Sequence, residues 1–195
     1  MKFTTAPNML TLARMLFVPV VVGLLFLKTS QYDFAAALLF AVASITDYFD
    51  GYIARTQKSI TVYGKLLDPL ADKFLVVSAL VMLQYLDRIH PVLVMLLICR
   101  ELAITGLRAL ASAEGVIIPA SASAKWKTVT QMVAIPLVMV RDGILGIPVF
   151  EAGLVLLYIS LALSLWTAMD YLIDFFKGAR EMRKKRREAK RQATS

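Results

Sequence analysis

Six runs of apolar residues, each near 20 long, constrain this chain more than any other feature in it. They cover roughly 9–27, 32–54, 65–86, 91–111, 127–147 and 149–176. A helix that crosses the hydrocarbon of a bilayer needs about 20 mostly apolar residues. The runs are continuous rather than alternating, and an open sheet edge cannot face lipid, so strands are excluded as the frame. Hydrophobic residues make up 58% of the 195, above the share usual in soluble domains. The expectation is an all-α integral membrane protein, a bundle of about six transmembrane helices. The first run lacks a small-residue cleavage site and more spans follow it, so it reads as retained rather than as a signal peptide. No hydrophilic stretch is long enough for a separate soluble domain. Residues 1–176 are therefore expected to form one membrane domain, followed by a basic tail at 177–195.

Charge sets the orientation. The net charge is +8, and residues 177–195 hold nine Lys or Arg and two Glu. Such a tail resembles a nucleic-acid arm, but directly after a membrane helix it is more simply an anchor against anionic lipid. No nucleic-acid partner is expected. Arg55, Lys58 and Lys65, then Arg100, Arg108, Lys125 and Lys127, then the tail, fall on one side of a six-span chain, together with Lys2. By the positive-inside rule that side is cytoplasmic, and both termini face it. The single cysteine, Cys99, rules out an intramolecular disulfide and is expected to pack within a helix. The lone His90, beside Pro91, reads as a solvated loop residue.

The window DYFDGYIARTQKSITVYGKLLDPLAD holds four aspartates between apolar runs. Asp47 and Asp50 lie three apart at the end of the second run; Asp68 and Asp72 lie four apart at the start of the third. On helices each pair shares a face, and a short cytoplasmic loop brings the pairs together. Four uncompensated carboxylates repel and are costly to desolvate, so protonation or bound cations must relieve them. Oxygen-only ligands suit Mg²⁺ or Mn²⁺, and the absence of nearby Cys or His disfavours zinc. Gly51 and Ala54 share the face of Asp47, and Gly64 precedes Asp68 by four, which leaves room against the backbone. Arg55 is placed to grip a phosphate. Together these residues suggest a phosphorylated, nucleotide-like ligand. Two metals about 4 Å apart would clamp a phosphoryl group for in-line displacement. Any one aspartate alone is better read as a solvated helix end; four at this spacing are not.

The pattern D-x-x-D-G-x-x-A-R, eight residues, G-x-x-x-D-x-x-x-D resembles the signature of the CDP-alcohol phosphatidyltransferase family. Asp47, Asp50, Gly51, Ala54, Arg55, Gly64, Asp68 and Asp72 fill its fixed positions. The resemblance implies a six-helix membrane enzyme, usually a homodimer, with a polar cavity open to the cytoplasm. It implies that the four aspartates ligate two divalent ions, Mg²⁺ or Mn²⁺, and that Asp72 is also the general base. It implies donor contacts from Gly51, Ala54, Arg55 and Gly64, with Thr61 in the loop as a further one. The donor is then CDP-diacylglycerol, and CMP leaves when an acceptor hydroxyl attacks the lipid-side phosphorus.

The family differs in its acceptor alcohol. Arg100 and Arg108 lie two turns apart in an otherwise apolar run, and Lys125 and Lys127 precede the fifth. Four positive groups suit an acceptor that carries its own phosphate, against the plainer reading of ordinary positive-inside charge. RELAITGLRAL, SASAKWKTVTQ and the opening PNMLTLAR also resemble the branch of the family that uses glycerol 3-phosphate and forms phosphatidylglycerol phosphate in a bacterial inner membrane. Asn8 either caps the first helix or contacts the donor. Arg14 either faces the cavity or snorkels. The rival readings are a sister enzyme using inositol phosphate, serine or phosphatidylglycerol, an ion-coupled transporter, and a non-catalytic lipid-binding scaffold.

Overall fold

A computed structural model describes the backbone of residues 6–57, 62–113, 122–141 and 148–192, and the side chains within 15–46, 73–111, 126–141 and 148–182. The chain is all-helical, with six helices: α1 (Ala6–Phe26), α2 (Ser30–Gln57), α3 (Val62–Tyr85), α4 (Pro91–Ala113), α5 (Ala122–Met139) and α6 (Val149–Gln192). No strand occurs among the described residues.

Two tight turns set the up-and-down order. Between α1 and α2 the amides of Leu27 and Lys28 reach back to the carbonyls of Leu24 and Leu25, and Asp33 N donates to Thr29 O. Lys28 takes the left-handed conformation that reverses the chain, with φ 53°. Between α3 and α4, Asp87 does the same with φ 56°. His90 is exposed, as its loop position implies. It also caps α4: its carbonyl accepts from Leu93 N, and its Nδ1 accepts from Val92 N at 3.3 Å.

Helix α1 packs against α2 and α3, α5 lies along α6, α2 leans on α5, and α4 on α6. The core between them is built from Leu25, Phe40, Leu75, Leu83, Ile135 and Leu157, all fully or almost fully buried. On α2 the buried positions run Asp33, Ala36, Ala37, Phe40, Ala43, Ser44, the three-and-four spacing of one helix face. Small residues on that face let α1 and α5 approach closely.

The α5–α6 seam follows the same rule more strictly. Gly153, Leu157, Ser160, Ser164 and Thr167 are buried at a four-three-four-three spacing. A Cβ on Gly153 would meet Leu137 Cβ and Val138 N at 2.8 Å. The opposite side of α6 exposes Val155, Tyr158, Leu165, Trp166, Met169, Ile173 and Phe176. Small and polar residues inside with large apolar ones outside is the arrangement of helices packed in lipid. From Val149 to Met182, α6 is long and apolar enough to cross a bilayer; among the described residues the other apolar helical stretches, Met15–Phe26 and Lys73–Tyr85, are shorter.

Two sequence expectations change. The fifth helix starts at Ala122 and ends at Met139 rather than running over 127–147. At its end Arg88 Nη1 donates to Met139 O at 2.5 Å and satisfies a terminal carbonyl. Cys99 lies in a helix but on its exposed side. Helix α6 continues into the basic tail without a break, to Gln192.

Gly153→Ala is expected to destabilise the protein by about 1–3 kcal/mol, because backbone atoms of α5 must shift. Gly106→Ala, where nothing lies within 4 Å of the new atom, should be neutral or stabilising by up to about 1 kcal/mol. Thermal unfolding of both variants in detergent checks the contrast.

Candidate active site

The aspartate window folds as the end of one helix and the beginning of the next. Asp47, Asp50, Gly51, Ala54 and Arg55 lie in the C-terminal part of α2. Gly64, Asp68 and Asp72 lie in the N-terminal part of α3. The helical backbone makes the three- and four-residue spacings into shared faces, as the sequence implies. The side chains of these eight residues, and Thr61 altogether, lie outside the described residues. So do the side chains of Asn8 and Arg14, whose backbone belongs to α1, and of Lys125 at the start of α5. The donor set of four carboxylates on consecutive helices fits hard divalent cations by its chemistry. Among the described residues no group of three or more His, Cys, Asp or Glu side chains is gathered for a metal.

Immediately after Asp72 comes a polar cluster that joins α3, α4, α5 and α6. Its centre is Glu101 on α4. Lys127 Nζ on α5 lies 2.5 Å from Glu101 Oε2, Arg100 Nη1 lies 3.2 Å from the same oxygen, and Lys73 Nζ on α3 lies 3.8 Å from Oε1. Lys73 also donates to the Thr105 hydroxyl, which donates in turn to Glu101 O at 2.7 Å. Arg100 reaches across to α6, with Nε to Ser164 O at 2.8 Å and Nη2 to Thr167 Oγ1 at 2.7 Å.

The side chains of Arg100 and Lys127 are only 9% and 8% exposed. Buried charges of this kind persist only when paired and hydrogen-bonded. Glu101 supplies that pairing for both. Three cations around one carboxylate leave a positive surplus, and a cavity of about 50 Å³ lies beside them, lined by Lys73, Glu101, Lys127 and Gln131 among apolar neighbours. The surplus and the cavity suit a small anion. Arg108 stands apart from this knot: it is exposed and sits 5.7 Å over the ring of Tyr171 on α6.

Of the residues singled out from sequence, the structure thus gathers Arg100 and Lys127 and holds Arg108 two turns further along α4. Sequence reasoning missed Glu101 as the hub, along with Lys73 and Thr105. A signal existed: Lys73 and Glu101 are charged residues within apolar runs, and such residues demand partners.

Residues 4–166 match the family model for CDP-alcohol phosphatidyltransferase. The chain belongs to the CDP-alcohol phosphatidyltransferase family. That match takes in the aspartate window and most of the Glu101 cluster, and stops within α6, one residue short of Thr167. A protein of Rickettsia typhi named CDP-diacylglycerol–glycerol-3-phosphate 3-phosphatidyltransferase is 38% identical over 166 residues, 85% of this chain and 93% of its own length. One of the same name from Escherichia coli (strain K12) is 37% identical over 174 residues, 85% of this chain and 92% of its own. A third, from Cereibacter sphaeroides, is 39% identical over 142 residues, 71% of this chain and 64% of its own. The family resemblance drawn from eight positions thus holds over most of the chain.

Removing the hub carboxylate leaves Lys127 and Arg100 buried without their shared counter-charge. Glu101→Ala is expected to cost about 1–3 kcal/mol, less than a fully buried pair because Glu101 is partly exposed. Glu101→Asp, which keeps the charge on a shorter arm, should recover part of it; unfolding temperatures of the two variants compare them.

Proposed function

We propose that this protein transfers the phosphatidyl group of CDP-diacylglycerol to glycerol 3-phosphate, giving phosphatidylglycerol phosphate and CMP. The observation that carries the reading is the complete aspartate motif across the end of α2 and the start of α3, in a chain that matches its Rickettsia typhi and Escherichia coli relatives over nearly their whole length.

The chemistry follows from the residue types. Asp47, Asp50, Asp68 and Asp72 would hold two divalent ions, Mg²⁺ or Mn²⁺. Bound there, the ions would neutralise the donor diphosphate and polarise its phosphorus. Gly51, Ala54 and Gly64 leave room for the donor against the helices, and Arg55 and Thr61 hold its phosphates and nucleotide, with Asn8 and Arg14 on α1 as further contacts. Asp72 takes the proton from the acceptor hydroxyl. The freed oxygen attacks the phosphorus that bears the diacylglycerol, the bond from that phosphorus to the CMP oxygen breaks, and CMP leaves with the electron pair. The acceptor's own phosphate is held by the positive surplus around Lys127 and Arg100, with Arg108 and Lys125 at its edge. Lys73 extends that surplus toward Asp72, its neighbour in the chain.

The bundle spans a bacterial inner membrane, with both termini and the aspartate motif at the cytoplasmic face. The inside-out pattern of α6 supports this placement, as does the run of Lys and Arg in alternate loops. The exposed apolar faces also suit a homodimer. Residues 1–176 act as the membrane domain and 177–195 as a basic, lipid-facing extension.

The deciding assay is CMP release by purified protein given CDP-diacylglycerol, Mg²⁺ and, in turn, glycerol 3-phosphate, inositol phosphate, serine or phosphatidylglycerol. Release only with glycerol 3-phosphate is expected; release with another acceptor keeps the family and overturns the acceptor. Chelation by EDTA should abolish turnover, and added Mg²⁺ or Mn²⁺ should restore it. Asp72→Asn is expected to lower kcat by about 10²–10⁴-fold in folded protein. Arg108→Ala should raise KM for glycerol 3-phosphate by about tenfold, the worth of one exposed charge-assisted contact, with little change in KM for the donor.

A further inference from the structure

At the far end of the bundle from the aspartate motif, the two tight turns and the end of α5 enclose a second polar site. Asp33 stands 14 residues before Asp47 on α2, about 21 Å along the helix axis. Its Oδ2 accepts from Arg88 Nη2 at 2.5 Å, while Arg88 Nη1 is taken by Met139 O. The side chains of Arg88 and Asp33 are 6% and 4% exposed. Even so, Arg88 Nε and Asp33 Oδ1 have no partner among the described residues. Each such buried group costs about 1–3 kcal/mol unless something satisfies it.

Both residues line a cleft of about 450 Å³, which also takes in Lys28, Tyr85, Asp87 and Arg141. Three cations and two carboxylates leave one net positive charge, the complement of a single phosphodiester. Among its described buried groups one donor and one acceptor are unused, so a ligand that offers anionic oxygens and a hydrogen-bond donor together suits it. The rim is aromatic. Phe26 stacks on Tyr85 with centroids 6.0 Å apart, Lys28 sits 5.3 Å over the same ring, and Tyr32 and Phe34 are exposed nearby on α2. Aromatic residues of this kind collect at the headgroup level of bilayers.

We propose that this cleft binds the headgroup of a glycerophospholipid, its phosphodiester held by Lys28, Arg141 and Arg88 Nε, and a headgroup hydroxyl or ammonium donating to Asp33 Oδ1. The proposal rests on the membrane-spanning reading above, and assigns the chain a lipid site separate from the one where the donor reacts. Glycerol and ethanolamine headgroups supply the donor that Asp33 requires. Choline supplies none, because its nitrogen carries no hydrogen.

The test reads lipid retained by the full chain in nanodiscs, by mass spectrometry, after reconstitution with phosphatidylglycerol, phosphatidylethanolamine or phosphatidylcholine. Lys28→Asn combined with Arg141→Gln removes two phosphate contacts at exposed positions; Asn tolerates the left-handed conformation at 28. The wild type is expected to retain the first two lipids over phosphatidylcholine by about fivefold or more, and the double variant to lose about tenfold in retention with CMP release unchanged. Equal retention by variant and wild type, at unchanged turnover, would overturn the site and leave the cleft to water. Displacement of the lipid by millimolar inorganic phosphate would overturn lipid as the ligand in favour of phosphate itself. If the wild type neither enters nanodiscs nor turns over in them, the membrane reading fails instead and takes this site with it.

Discussion

Charge inside an apolar helix bundle has to be paired, and this constraint explains more of the molecule than any single motif. Among the described residues the bundle contains two such charged centres, Glu101 with its cations midway along α3 and α4, and Asp33 with Arg88 at one end. Each joins helices that apolar packing alone would leave free to slide. Glu101 fixes α3, α4 and α5 to one another, and Arg100 extends the tie to α6. Arg88 fixes the α3–α4 turn to α2 and to the last carbonyl of α5. Van der Waals contact between similar apolar surfaces is nearly indifferent to register; an ion pair with 2.5 Å geometry is not.

The two centres differ in what surrounds them. The Glu101 cluster has its charged groups paired with one another and follows directly on Asp72 in the chain. The Asp33–Arg88 pair keeps a buried donor and a buried acceptor unused and opens onto a larger cleft. A paired network rigidifies its part of the fold; an incompletely satisfied one is costly, and a bound molecule that completes it removes that cost.

Much of this was legible in the sequence. The six helices follow from the apolar runs because continuous hydrophobicity near bilayer length leaves few alternatives. The family followed from Asp47 to Asp72 because spacing, not composition, carried the information. Glu101 was harder to read. Its partners lie 28 residues before it and 26 after it, and no local pattern joins positions that far apart. Arg88 was hidden by its setting: beside Asp87 at a turn it reads as a solvated loop residue, and only the packing of α5 across the turn buries it. The end of α5 was misread because the apolar run continues past it, while Asp142, Gly143, Gly146 and Pro148 are the local signals of a stop.

The unbroken course of α6 has a mechanical consequence. Its 44 residues make a rod of about 66 Å, beginning where it packs on α5 and ending in the densest positive charge of the chain. A basic segment on a loose linker could sample a wide volume and report nothing about the domain that carries it. Here the segment shares a helix axis with the Ser164 and Thr167 contacts to Arg100, so its direction is tied to the packing of the bundle. Any tilt of α6 against α4 would be carried outward along the rod and enlarged with distance, sweeping the positive charge through an arc several times the displacement at the cluster.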